Sequence, residues 1–150
     1  MERSTDLRAI DAALSRIGKV ANSRRASDRR SARSGVDLPP TAVATLACIY
    51  RNGPMRLTAI GERLELEPSR VSREVRRLAA EGFIEQGRDP DDGRALALRV
   101  TDAGAEAFQR YRAAADELLA DALHQWSDAD LHRLAASLAK LAATLGPSPS

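Results

Sequence analysis

The residues best equipped for chemistry are arginines gathered on one short segment. From Pro68 to Glu81 the chain reads PSRVSREVRRLAAE. Wound as a helix, it places Val71, Val75 and Leu78 in one narrow arc, which predicts that this arc packs inward. The opposite arc carries Ser69, Arg73, Arg76 and Ala80, with Arg70 and Arg77 flanking it on one side and Ser72 on the other. Up to Ala80, four arginines stand against a single acid, Glu74. A guanidinium is a planar fork that fits phosphate oxygens and the two major-groove acceptors of guanine. The positive end of a helix also favours phosphate. The segment therefore has the dimensions and chemistry of a helix that enters the major groove of duplex DNA. The plain alternative is an ordinary solvated helix face.

Other reactive side chains are sparse. Arg94 follows the run Asp89-Pro90-Asp91-Asp92-Gly93, and is the cation placed to enter the narrow, electronegative minor groove. Asp91 and Asp92 would be repelled by a phosphate backbone, so this is no simple basic tip. Their expected use is to orient Arg94 or Arg88 through carboxylate hydrogen bonds. The lone cysteine, Cys48, excludes an internal disulfide and a cysteine zinc site. Its neighbours Leu46, Ala47, Ile49 and Tyr50 predict an inert buried thiol rather than a redox sensor. His124 and His132 are eight residues apart without metal-binding spacing. No G-x-S-x-G run or phosphate-binding glycine loop occurs, so neither an enzyme, a cofactor nor a metal is expected.

These residues need a scaffold to present them. Leu7, Ile10, Leu14, Ile17 and Ala21 repeat at three-four spacing, a heptad seam. The basic run Arg24–Arg30 reads as the solvated end of that helix or as a loop, with phosphate contact as its functional alternative. Pro39 and Pro40 open a helix with Val43, Leu46, Ala47 and Tyr50 on one stripe, stopped by Asn52-Gly53-Pro54. Thr58 is expected to cap a short helix holding Ile60 and Leu64, and residues 65–67 form a turn into the arginine helix. Residues 83–86 and 95–100 read as strands of a β-hairpin, because Asp-Gly is a strong turn signal. Thr101 is the expected cap of a long helix carrying Phe108, Tyr111, Leu118 and Leu119. Ser127 and Asp130 resemble a capping box, and Leu131, Leu134, Leu138, Leu141 and Leu145 form a second heptad row. The last four residues, 147–150, are expected to be a disordered tail.

A short helix, a tight turn, a basic helix and then a hairpin are the parts of a winged helix-turn-helix in order. From LTAIGERL onward, the SRVSREVRRL…GFIE segment, the D-x-x-D-x-R wing and the T-x-x-G entry into a long helix resemble the MarR family of transcription regulators. The terminal helices also match in number and order, so the resemblance covers nearly the whole chain. It implies a mainly α fold with a small β-hairpin wing, and contacts to DNA by Ser69, Ser72, Arg73 and Arg94. Together with the helix face, the expected DNA-binding set is Ser69, Arg70, Ser72, Arg73, Arg76, Arg77 and Arg94. Gly61 stands where alanine is usual in the family, which lowers helix propensity.

The expected organisation is one MarR-like chain over 1–150, with a DNA-binding lobe at 38–100 and dimerisation helices at 4–34 and 101–146. Leaving either leucine row wet would be a liability, since burying one leucine is worth ~1.5–3 kcal/mol. Two-fold pairing through both termini buries the rows and supplies a second reading head. The function expected is that of a sequence-specific regulator, a repressor binding a pseudo-palindromic duplex as a homodimer. The resemblance further implies a pocket between the dimerisation helices and the DNA-binding lobe, where a small-molecule effector of unknown identity would release it. Tyr50, Tyr111, Asn22 and Arg25 could reach that pocket, with a packing or surface role as the plainer alternative for each. A winged-helix module that binds protein instead of DNA is the alternative. Of the 23 basic residues only Lys19 and Lys140 are lysines, and the net charge is +2. No apolar stretch is long enough to span a membrane and the N-terminus lacks a signal-peptide run, so a cytoplasmic location is expected.

Overall fold

The computed structural model describes residues 2–146. Seven helices and one hairpin follow in the order α1 (Glu2–Ala21), α2 (Arg24–Ser34), α3 (Pro40–Asn52), α4 (Leu57–Leu64), α5 (Pro68–Ala80), β1 (Ile84–Arg88), β2 (Leu96–Val100), α6 (Asp102–Ala122) and α7 (Asp128–Leu145). The chain divides into two compact units, with the boundary between Ala115 and Asp116. The expected tail at 147–150 lies outside the described residues.

In the first unit, α3, α4, α5 and the hairpin close around one core. Leu46, Ile49, Ile60, Val71 and Leu78 are its most deeply buried large side chains, drawn from three helices whose apolar stripes meet. The α4–α5 turn needs Glu65 in the left-handed region, at φ 52°, where its N–H caps α4 through the carbonyls of Gly61 and Glu62. Strands β1 and β2 are antiparallel with Ile84 opposite Val100 and Arg88 opposite Leu96. Met55 adds a short third bridge to Leu98, so the entry to α4 is hydrogen-bonded to the hairpin.

The junction between α5 and α6 explains the T-x-x-G run. Thr101 Oγ1 donates to the carbonyl of Gly82 at 2.6 Å and accepts from the N–H of Gly104 at 3.1 Å. The Thr101 N–H in turn donates to the carbonyl of Phe83 at 3.0 Å. Thr101 thus caps α6, as its type and position predict, and ties that helix to the corner that ends α5.

Two local expectations are corrected. Thr58 caps nothing: α4 begins at Leu57 behind Arg56, which makes no side-chain capping bond. The basic run at 24–30 is neither a helix end nor a loop but part of a separate helix. Ser23 accepts from the N–H of Ala26 to start α2, and Gly35 ends it in the left-handed region.

Helix α1 has no buried residue; Leu7 and Ile17 are 59% and 57% exposed. In the second unit, Ser127 accepts from the Asp130 N–H and donates to its carboxylate, closing the expected cap of α7. That helix also buries no residue, and Leu138 and Leu145 are exposed. No helix among the described residues is long and apolar enough to cross a membrane.

Candidate nucleic-acid interface

Helix α5 starts at Pro68, whose missing N–H costs nothing in a first turn. It is held by Val71 and Leu78, both fully buried. The inward arc differs from the expected one in a single place. Val75 is only half-buried, whereas Glu74 is 5% exposed. The one acid of the helix therefore lies beneath the arginines and not among them. Its carboxylate reaches Arg77 Nε at 3.6 Å, and Oε2 makes no hydrogen bond.

Outward, Ser69, Arg70, Arg73, Arg76 and Arg77 are exposed and Ser72 is half-buried. Arg70 donates to Thr41 Oγ1 at 3.0 Å, which ties α5 to the first turn of α3. Arg76 folds back on the Ser72 carbonyl at 3.2 Å. Arg73 has no hydrogen-bond or ion-pair partner among the described residues, and the same holds for the guanidinium of Arg94 at the hairpin tip. Six of the seven predicted side chains thus share one helix, and the seventh sits on the neighbouring hairpin.

The hairpin aspartates work differently from the expectation. They orient neither the Arg94 nor the Arg88 guanidinium. Asp92 accepts from the backbone N–H of Arg94 at 3.1 Å, and Arg88 donates to the Gly93 carbonyl at 2.7 Å. The cation facing the aspartates is Arg56, from the start of α4. Its Nε donates to Asp89, and its Nη2 lies 3.7 Å from Asp92. Arg56 holds the Asp89 carboxyl below its ordinary range, chiefly through that hydrogen bond, with the N–H groups of Asp91 and Asp92 adding to it. Sequence reading missed Arg56 because it is 33 residues from Asp89, and no local pattern links them.

Other sites resolve simply. Cys48 is buried with Sγ 3.7 Å from Met55 Sδ, and burial pushes the thiol pKa up against the opposing pull of Arg63 and Arg51. Tyr50 packs against Phe108 with the rings tilted by 49° and Tyr111 is buried in the core. A cleft of about 480 Å³ opens between α2, the turn at 37–40 and α5, where Asn22, Arg24, Ser27, Asp37 and Arg77 line it. Of the four residues expected at a pocket, Asn22 lines this one.

The family model described as "MarR family" matches residues 38–96. A Mycobacterium bovis HTH-type transcriptional regulator, Mb0904, is 32% identical over 98 residues, covering 64% of this chain and 68% of that protein. The chain belongs to the MarR family. A second relative, the Bacillus subtilis HTH-type transcriptional regulator YkoM, is 37% identical over 67 residues, 45% of this chain and only 44% of that regulator. Among solved structures, a MarR family protein from Bacillus stearothermophilus superposes with a TM-score of 0.80 at 18% identity, covering 97% of each chain. The Multiple Antibiotic Resistance Repressor, MarR, does so with a TM-score of 0.67 at 18% identity, covering 89% of this chain and 92% of that one. MarR-family regulators are non-enzymatic DNA-binding proteins that typically form dimers. The mainly helical fold with its two-stranded wing matches theirs.

Proposed function

We propose that this chain is a homodimeric, sequence-specific DNA-binding repressor whose α5 reads the major groove and whose Arg94 enters the minor groove. The observation that carries the reading is the outer face of α5. It presents Arg70, Arg73, Arg76 and Arg77 with Ser69 and Ser72, while the only acid of the helix is buried beneath them. Such a face meets guanine edges and phosphates. A protein-binding surface would offer aromatic or leucine anchors instead, and α5 exposes none.

Dimerisation is supported by the apolar row of α1, exposed throughout in the subunit, and by that of α7, where Leu138 and Leu145 are exposed and Leu131, Leu134 and Leu141 half-buried. A two-fold pair then favours half-sites roughly one helical turn apart. In the organisation we propose, residues 38–100 form the reading lobe and the segments 4–34 and 101–146 form the dimer. Repression is the reading taken from the repressor to which the fold is similar, and the cytoplasm is where such a regulator meets its DNA. A small effector would act from the cleft beside α2, since Arg77 belongs both to its wall and to α5. It must bind the two arrangements of the reading heads unequally to release DNA.

The test is a titration of the protein against duplex DNA at several salt concentrations. Affinity should fall steeply as salt rises, because each phosphate neutralised releases counterions. A flat response would favour the protein-binding alternative.

A further inference from the structure

We propose that Arg56 is a positioning residue for the wing: through Asp89 it fixes the tip that presents Arg94 and cancels the charge that would keep that tip off DNA. The inference rests on the DNA-binding reading above.

Segment 88–94 carries three aspartates against two arginines, a net charge of −1, and Arg56 brings it to zero. The contacts form a relay. Arg56 Nε donates to Asp89 Oδ2, and the Asp89 carboxylate is only 10% exposed. The other oxygen, Oδ1, accepts the N–H groups of Asp91 at 2.8 Å and Asp92 at 3.3 Å, which sets the turn. Asp92 spans both sides, with Oδ2 3.7 Å from Arg56 Nη2 and Oδ1 accepting the Arg94 N–H. The backbone before Arg56 is fastened to β2 by the two Met55–Leu98 hydrogen bonds, at 2.9 and 2.7 Å. Arg56 is therefore a fixed post and the tip is what it holds. Wings are loops on a rigid scaffold, and a side chain reaching a narrow groove must be held close to its productive geometry. Without Arg56, the aspartates would face phosphates uncompensated.

The experiment compares the wild-type protein, Arg56→Gln, Asp89→Asn and the double variant in two measurements. Asparagine at position 89 keeps Oδ1 as the acceptor for the Asp91 and Asp92 N–H groups but puts an NH2 donor where Oδ2 accepted from Arg56, so it removes the latch and leaves the turn. In the free protein, hydrogen exchange at those two N–H groups should quicken at least fivefold in Arg56→Gln, with the thermal midpoint unchanged. On a duplex selected by the wild-type protein, each single variant should bind about tenfold more weakly. The double variant should be no worse than the weaker single, because the two groups act as one unit. Multiplying losses, near a hundredfold, would make Arg56 an independent phosphate contact and overturn the proposal. So would unchanged exchange with unchanged affinity. If the wild-type protein binds no duplex while exchange responds as stated, the DNA reading falls and the role in presenting Arg94 falls with it, but the latch stands.

Discussion

Gly104, in the first turn of α6, packs so closely on Phe83 that a methyl group on its Cα would overlap the Phe83 carbonyl oxygen and lie 2.8 Å from the carbonyl carbon and 3.0 Å from Cα. The neighbour is backbone and cannot swing aside. Its position is also fixed by the Thr101 N–H, which donates to the same carbonyl. Glycine is required here for close approach, and the contact joins the end of the reading helix to the start of α6. Gly104→Ala should therefore destabilise the protein by about 3 kcal/mol, the upper range for forced overpacking. Denaturant unfolding checks this, and a loss under about 0.5 kcal/mol would show that the corner yields.

Arg73 is outward on α5 and has no partner among the described residues, which leaves it free to meet a base edge. Arg73→Ala should leave the fold intact and relax base preference at one position of each half-site. Selection of duplexes by the variant reads this directly. A preferred site identical to the wild-type one would make Arg73 a bystander.

Arg94 is held at its backbone by Asp92, while its guanidinium has no partner among the described residues. Arg94→Ala should cost ~1–3 kcal/mol of binding, the value of one groove contact. Equilibrium titration gives the number, and unchanged affinity would remove the wing from the interface.

The α1 seam buries nothing within its own subunit. Replacing both Leu14 and Ile17 with Glu should leave helical content unchanged and yield monomers at micromolar concentration. Each lost burial of this kind removes ~1.5–3 kcal/mol, twice over in a symmetric pair. Sedimentation separates the outcomes: an intact dimer would place the interface elsewhere, and a collapsed fold would mean the seam packs internally.

Asp89 has its carboxyl pKa lowered by Arg56, so its pairing favours the folded wing above the ordinary aspartate value of about 3.9 and is lost as pH falls through the lowered value. The latch should therefore be indifferent to pH from 5 to 8. Carboxyl titration followed by NMR should show Asp89 below the ordinary value and moved up in Arg56→Gln. A normal value in the wild-type protein would mean the ion pair does not persist in solution. Cys48 follows the opposite logic: burial raises its pKa, so a thiol reagent at pH 7 should react only as the protein unfolds.

Much of this architecture was legible because it is written locally. The stripe of Val71 and Leu78, the Asp-Gly turn, and the caps at Thr101 and Ser127 each involve residues within a few positions of one another. What escaped was set by contacts between distant segments. Glu74 falls outside the inward arc expected from Val71, Val75 and Leu78, and only the packing of α5 decides that it goes inside. Nothing near Arg56 in the chain marks it, and its partner comes within reach only when the hairpin folds against it. The separate helix α2 was missed because five arginines in eleven residues mask the quiet signals of Ser23 and Gly35.

The most direct measurement is selection of bound duplexes from a random pool by the wild-type protein, repeated with Arg73→Ala and Arg94→Ala. The account predicts enrichment of a pseudo-palindrome with half-sites roughly one helical turn apart, and loss of definition at particular positions in each variant. Recovery of no shared sequence, or of one site unaltered by either substitution, would contradict it.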